Sequence, residues 1–170
     1  MSVRTIVDYF PPMARADITM TDDEVQAFLA KPQSIQVATI GHDGFPHLAP
    51  MWFVVIDGKV GFRSFTKSQK IVNLKRDPRL TLLAETGGPY AELQGLIIKG
   101  TATLIADPEY VLAMYGTLAA RYAFSGEDPA ELDAEELEKR YGRFAPKNTA
   151  VVVEPTKVIS WDHRKLGGKY

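Results

Sequence analysis

Hydroxyl and cationic side chains are concentrated in the segment SFTKSQK, residues 64–70, which lies between a predicted strand and a predicted helix. A phosphate group is bound by hydroxyls, by a cation and by the free N–H groups of a helix's first turn, and this segment supplies all three. A lysine at the positive end of a helix is unfavourable unless an anion joins it. Ser64, Ser68 and Lys70 are therefore candidate phosphate ligands.

The other cations of this stretch have a simpler explanation. Lys75 and Arg76 fall in the last turn of the predicted helix, where positive charge interacts favourably with the helix dipole. On the same helix, Ile71 and Leu74 must face a core. We therefore interpret Lys75 and Arg76 as solvated surface residues.

Apolar periodicity and turn signals predict the elements that position this segment. Thr21 is a candidate N-cap for a short amphipathic helix, and Asp107-Pro108 is a typical helix start. Turn signals at Asp43-Gly44 and Asp57-Gly58 predict two successive hairpins. The predicted strands are SIQVATIG, FPHLAPMWFVVI, KVGFRSF, RLTLLAET, AELQGLIIKGTATLIA and NTAVVVEPTKVISWD. Six or so strands with three or four flanking helices predict a mainly β fold, built as one antiparallel barrel.

Length and composition bound the class of protein. The chain has 170 residues, 45% of them hydrophobic, and a net charge of -1. This length and composition predict a single domain over 1–170. Within it we distinguish an N-terminal arm (1–20) and an exposed basic tail (162–170). There is no basic excess for nucleic-acid binding, and no apolar run approaches the roughly 20 residues of a membrane span. The sequence has no cysteine, so disulfides and thiolate chemistry are excluded and a cytoplasmic location is expected.

Other catalytic and metal-binding patterns do not occur in the sequence. His42, His47 and His163 lack metal-ligand spacing, so no metal site is predicted. The acidic residues of 131–138 lie on a polar predicted helix and are interpreted as surface groups. There is no G-x-S-x-G motif and no dinucleotide-binding glycine pattern, which argues against a hydrolase and against a Rossmann domain.

Three segments taken together resemble a known family. SIQVATIGHDGFPHLAPMWFVVIDGKVGFRS, SQKIVNLKRDPRLTLL and GLIIKGTATLI resemble, in order and spacing, the pyridoxamine 5'-phosphate oxidase-like flavin-binding split barrels. The chain looks closer to their deazaflavin (coenzyme F420)-dependent oxidoreductase branch. The resemblance implies a six-stranded antiparallel split barrel of the FMN-binding type, which forms a homodimer with the cofactor site at the subunit interface.

The resemblance implies phosphate binding by four residues of the opening segment. They are Ser64, Ser68, Gln69 and Lys70. Arg63 and Lys67, which flank them in sequence, would meet further negative charge on the cofactor tail. F420 carries phosphate, carboxylate and oligoglutamate groups, so extra cations would help it more than they would help FMN.

The resemblance also implies that the strand PMWF runs along the flavin-like ring. Its residues Pro50, Met51, Trp52 and Phe53 would supply backbone groups to the polar edge of the ring and an apolar side. Trp161 stands at the end of the last predicted strand, beside the basic tail. We interpret it first as a core aromatic, and the alternative is a contact with cofactor or substrate across a subunit boundary.

Two segments depart from the true pyridoxamine 5'-phosphate oxidases. Those enzymes carry an arginine-containing pattern on the ring-binding strand, whereas this chain has PMWFVV at the same place. At the phosphate they carry a paired Arg-Lys, where this chain has Gln69-Lys70. Vitamin B6 oxidation is therefore not expected.

Together these features predict an oxidoreductase that transfers a hydride from reduced F420 to an organic acceptor. No protein nucleophile is required for that reaction, and no catalytic residue is assigned. Two alternatives stay open. One is the same barrel using FMN as an oxidase or reductase, and the other is a non-catalytic protein that binds flavin or haem.

Overall fold

The computed structural model describes residues 18–31, 33–123 and 128–167. Its strands are β1 (Ser34–Ile40), β2 (Pro46–Trp52), β3 (Val54–Ile56), β4 (Lys59–Phe65), β5 (Arg79–Glu85), β6 (Gln94–Ile105) and β7 (Asn148–Asp162). Its α-helices are α1 (Asp22–Ala30), α2 (Gln69–Arg76), α3 (Pro108–Arg121) and α4 (Ala134–Tyr141). Residues 1–17 of the predicted N-terminal arm and 168–170 of the predicted tail lie outside the described residues.

All seven strands form one antiparallel sheet in the order β2-β1-β5-β6-β7-β4-β3. The two outermost strands, β2 and β3, are consecutive in the chain and separated only by Phe53, so the sheet must curl until its ends meet. The prediction of an antiparallel split barrel is confirmed. The sheet has seven strands rather than six because the run FPHLAPMWFVVI is interrupted at Phe53 and contributes two strands.

The predicted turns and helix starts are confirmed by their backbone geometry. Asp57 and Gly58 have φ angles of 50° and 74°, the paired positive values that a two-residue hairpin between β3 and β4 requires. Thr21 forms a capping box with Glu24 at the start of α1. Asp107 caps α3, accepting a hydrogen bond from the N–H of residue 109.

Two apolar clusters hold the helices on the barrel. The larger cluster fills the barrel interior, where α2 contributes Ile71 and Leu74, 0% and 2% exposed, as predicted. The second cluster lies outside the barrel, where Val111 and Leu118 of α3 pack against Val54 of β3. The strand β4 lies between these clusters, so consecutive residues on it face different surroundings.

The outer face of the barrel carries a row of partly exposed side chains across five strands. Gln36 pairs with Pro50 on one side and with Leu83 on the other, and the row continues to Ile97 and Ile159. None of these five residues is buried. We call this set the outer row. Four of its five members are apolar.

The predicted exposed tail is wrong for part of residues 162–170. Asp162 and Leu166 are buried, and residues 163–166 form a short 3-10 helix. Lys165 donates from Nζ to the carbonyl oxygen of Thr19 at 2.8 Å and pairs with the carboxylate of Glu24. Within the described ranges, no helix is long and apolar enough to cross a membrane.

Candidate functional site

The predicted phosphate ligands converge where β4 ends and α2 begins. Ser64 Oγ lies 3.0 Å from Ser68 Oγ, and Lys70 Nζ donates to Ser64 Oγ at 3.2 Å. Ser68 occupies the N-cap position of α2, but its side chain makes no capping bond to the helix. Two hydroxyls and an ammonium group therefore meet beside the first turn of a helix. We call Ser64, Ser68 and Lys70 the cradle.

The electrostatics of the cradle favour an anion. Desolvation by burial lowers the pKa of Lys70 below its ordinary value of 10.5. The ammonium group also lies near the positive end of the α2 dipole, so both effects disfavour its charge. The negative charge of a bound phosphate would offset both unfavourable effects on the Lys70 ammonium. The two hydroxyls add neutral hydrogen-bond donors for the phosphate oxygens.

Gln69 and Lys67 differ from the cradle residues in their surroundings. Gln69 Nε2 donates to Asn73 Oδ1 at 2.8 Å, and Asn73 Nδ2 donates to Thr39 Oγ1 at 3.0 Å. Asn73 and Thr39 are buried, so this chain of bonds fixes α2 to β1. Lys67 is exposed on the loop between Ser64 and Ser68. Asn73 and Thr39 could not be predicted from the sequence, because their polar groups matter only through a burial that the sequence does not display.

Arg63 does not flank the cradle. Its guanidinium carbon lies 3.7 Å from the ring centroid of Tyr115, and its Nη1 donates to Asn148 Oδ1 at 3.3 Å. Successive side chains of a strand point to opposite faces, so Ser64 turns toward the barrel interior and Arg63 toward α3. Proximity in sequence therefore misplaced this cation.

Arg63 instead lines a second site together with the ring-binding strand. A cleft of about 300 Å³ is bounded by Ser34, Pro50, Met51, Trp52, Arg63 and Leu118. We call it the cleft. Burial lowers the pKa of the Arg63 guanidinium, which nevertheless stays cationic at physiological pH. Three of the four residues predicted to run along the ring thus share one space with a fixed positive charge.

One wall of the cleft is an aromatic stack. The rings of Trp52 and Tyr122 are 4.9 Å apart between centroids and 4° from parallel. The Tyr122 hydroxyl lies 2.8 Å from the carbonyl oxygen of Gln33 and 3.0 Å from that of Phe53, and it accepts from Arg121 Nε at 3.0 Å. The sequence predicted Tyr122 first as a packing residue of its helix. Its stacking on Trp52 has no signal in the sequence, because 70 positions separate the two residues.

The structure does not place Phe53 in the cleft. Its ring is fully buried in the barrel core, and its backbone N–H and C=O both face the Tyr122 hydroxyl. Phe53 therefore anchors the corner between β2 and β3, where it also lies under the guanidinium of Arg121.

Trp161 lies on the same open face of the sheet as Trp52, at the opposite side. It pairs with Gly95 on β6, where a Cβ atom would lie 1.9 Å from the Trp161 indole. The indole therefore lies across the backbone of Gly95, which only glycine permits. Trp161 is not among the residues that line the cleft.

The three histidines form no metal site in the described part of the chain. Within it, no group of three His, Asp or Glu side chains could hold a metal ion. His163 Nδ1 lies 2.8 Å from the carbonyl oxygen of Tyr90, and the two rings are in contact. His163 therefore helps to hold the chain end against the loop before β6.

Comparisons with known proteins agree with this architecture. The family model described as pyridoxamine 5'-phosphate oxidase matches residues 21–162. A conserved hypothetical protein from Mycobacterium tuberculosis is 36% identical, with a TM-score of 0.81 over 93% of this chain and 94% of that chain. An F420 reductase is 25% identical, with a TM-score of 0.59 over 78% of this chain and 94% of that chain.

More distant solved structures share the fold alone. A heme storage protein from Vibrio cholerae is 13% identical, with a TM-score of 0.52 over 82% of this chain and 94% of that chain. No curated protein matches the sequence. The fold alone therefore does not assign a function to this chain.

Proposed function

The chain belongs to the pyridoxamine 5'-phosphate oxidase family, and we propose that it is an oxidoreductase that transfers a hydride from reduced F420 to an organic acceptor. The observation that carries this proposal is the cradle, in which two hydroxyls and a partly buried ammonium group converge at a helix start. The similarity to an F420 reductase over 78% of this chain supports the choice of a deazaflavin.

The residues present fit such a cofactor. Ser64, Ser68 and Lys70 would hold its phosphate, and the exposed Lys67 is available to a negatively charged tail. Along β2, residues 50–52 would contact the ring. When bound, F420 supplies a two-electron hydride donor. The protein's part is to bind, orient and exclude water, which is the contribution expected where no protein nucleophile is required.

A homodimer belongs to the same proposal. The outer row is mostly apolar and partly exposed, and the edge strand β2 carries both Pro50 of that row and Trp52 of the cleft. A second copy covering this face would place the cofactor site at the subunit boundary. Trp161 lies on the same face and would meet the partner or its cofactor. A cytoplasmic location is also part of the proposal, since a chain without cysteine suits a reducing compartment.

A cofactor titration of the purified protein tests the proposal. We expect F420 to bind more tightly than FMN in absorbance and fluorescence titrations, and we expect light scattering to give a dimer mass. FMN retained through purification, with no binding of F420, would favour the FMN-dependent alternative. Protein that binds reduced F420 but never accelerates its oxidation by a broad panel of acceptors would favour a non-catalytic carrier.

A further inference from the structure

We propose that the cradle selects a phosphate with a single negative charge, as in a phosphodiester, and that Gln69 sets this preference by placing a neutral donor at the start of α2. This inference rests on the proposed function, because it names the kind of phosphate that the same site takes. It follows from the number of cations at the cradle, from the direction of the hydrogen bonds behind it and from the burial of the site.

Among the described residues, one cation contacts the hydroxyls of the cradle. Lys70 Nζ donates to Ser64 Oγ at 3.2 Å. Arg63 lies over the ring of a tyrosine on α3 instead, and the two cations of the last turn of α2 are at the opposite end of that helix. Lys67 is exposed, so solvent and salt screen its charge. The cradle therefore presents one partly buried positive charge to a ligand.

The hydrogen bonds behind the cradle show which side of the Gln69 amide is engaged. The Thr39 hydroxyl is buried and accepts from Asn73 Nδ2 at 3.0 Å. Asn73 Oδ1 is thereby left as an acceptor, and Gln69 Nε2 donates to it at 2.8 Å. An amide nitrogen carries two N–H groups, so Gln69 keeps a second donor for a ligand at the first residue of α2. This position therefore adds a hydrogen-bond donor to the cradle but no charge.

The burial of the site makes a second negative charge on the phosphate unfavourable. Ser64 is 7% exposed, and desolvation already lowers the pKa of Lys70. The free energy of removing an ion from water grows with the square of its charge, whereas its attraction to one cation grows only in proportion to the charge. A dianion therefore loses about four times the hydration of a monoanion and gains about twice the attraction. The cradle should favour the monoanion.

The two candidate cofactors differ in this property. The phosphate of F420 is a diester and carries one negative charge at neutral pH. The phosphate of FMN is a monoester, and because such groups have a second pKa of about 6, it is mostly a dianion at neutral pH. One cation beside a neutral Gln69 therefore matches the phosphate of F420, whatever ring the ligand carries.

The experiment compares monoester and diester ligands that carry the same ring. FMN is paired with riboflavin 5'-(methyl phosphate), and the 5'-phosphate of the deazaflavin is paired with its methyl diester, in calorimetric titrations of the full chain. At about pH 8 we expect each diester to bind at least about ten-fold more tightly than its monoester. Between about pH 8 and pH 5.5 the monoester should gain affinity as it takes up its second proton, whereas the diester should not.

Each diester serves as the control for titration of the protein itself. Ionisable side chains around Gln69 and its hydrogen-bond partners are Lys67, Lys70 and His47, which pairs with Thr39 across β1 and β2. A change in their protonation acts on both ligands of a pair. The difference between the two pH profiles therefore reports the proton on the phosphate.

Gln69→Arg tests the charge directly. A guanidinium at this position adds a second cation, so the monoester should bind at least as tightly as the diester. Gln69→Met removes the donor without adding charge, so both ligands should weaken to a similar extent and the preference for the diester should remain. The matched control is Gln26→Arg, the same exchange at an exposed glutamine of α1, which should keep the ratio of the wild type.

Equal affinity for monoester and diester at about pH 8 would overturn the inference, as would a preference that survives Gln69→Arg or that is also lost in Gln26→Arg. Failure of all four ligands to bind would overturn it together with the proposed function. The two also fail separately. A diester preference in the flavin pair without any binding of the deazaflavin pair refutes the choice of F420 alone. Turnover of reduced F420 by a protein that does not distinguish monoester from diester refutes the preference for a single charge alone.

Discussion

The cradle and the cleft differ in how the chain builds them. The cradle comes from seven consecutive residues, 64–70, at one junction between a strand and a helix. The cleft gathers residues between Ser34 and Leu118 and depends on Tyr122 behind its wall. A local site can form wherever its strand and helix form, whereas a non-local one requires the whole sheet to close.

The two sites also differ in the cation they use. Lys70 presents a compact ammonium among hydroxyls, a point charge suited to phosphate. Arg63 presents a planar guanidinium between an aromatic ring and an amide, which favours a flat anion in a defined orientation. In the function we propose, the cradle would anchor the phosphate of the cofactor and the β2 residues of the cleft would contact its ring.

The largest expected effect is that of Lys70→Ala on cofactor affinity. Losing one charge-assisted hydrogen bond to phosphate should weaken F420 binding by about 10- to 100-fold, or roughly 1.4–2.7 kcal/mol. The effect is measured by fluorescence titration of F420.

The matched control for Lys70→Ala is Lys75→Ala, an exposed lysine in the last turn of the same helix. It should leave affinity nearly unchanged. If both variants weakened F420 binding equally, the affinity would depend on the overall positive charge of α2. A specific contact between Lys70 and the phosphate would then be contradicted.

This difference in construction explains what the sequence could predict. The cradle, the hairpin turns and the helix caps are all local patterns, and the structure brings Ser64, Ser68 and Lys70 together as expected. Arg63 was misplaced because successive residues of a strand point to opposite faces, so the residue next to Ser64 in the chain does not flank Ser64 in space. The corner at Phe53 was missed because an unbroken apolar run looks the same whether it bends or continues.

The aromatic wall of the cleft depends on a contact that no local pattern reveals. Tyr122→Phe keeps the ring stacked on Trp52 but removes a hydroxyl that lies 3.0 Å from the carbonyl oxygen of Phe53 and accepts from Arg121. We expect a loss of about 1–2 kcal/mol in the free energy of unfolding, the cost of leaving buried polar groups unsatisfied. Urea denaturation followed by far-UV circular dichroism measures it.

Tyr110→Phe provides the control for this change, since Tyr110 is a partly exposed tyrosine on α3. It should alter stability by a few tenths of a kcal/mol at most. F420 affinity should be the same in both variants, because neither touches the cradle. A Tyr122→Phe protein as stable as the wild type would mean that the barrel corner is held by packing alone.

The smallest expected effect is a pH dependence that separates the two cations. Burial lowers the pKa of Lys70 from 10.5, and phosphate binds the protonated form of the side chain. F420 affinity should therefore be constant near neutral pH and should decline as the pH rises through that lowered pKa. Arg63 stays protonated in this range, so any contribution of the cleft to F420 binding should not change between about pH 7 and pH 10. Titrations of F420 across this range, with the wild type and with Lys70→Ala, measure the contrast.

Lys70→Arg sharpens the pH comparison. A guanidinium does not lose its proton in this range, so the variant should keep its F420 affinity at alkaline pH even where its neutral-pH affinity is lower than that of the wild type. A wild-type profile for F420 that stays flat up to about pH 10 would show that the Lys70 ammonium does not contact the phosphate. The cradle would then hold its anion through hydroxyls and the α2 start alone, and the two sites would no longer differ in the way their charges respond to pH.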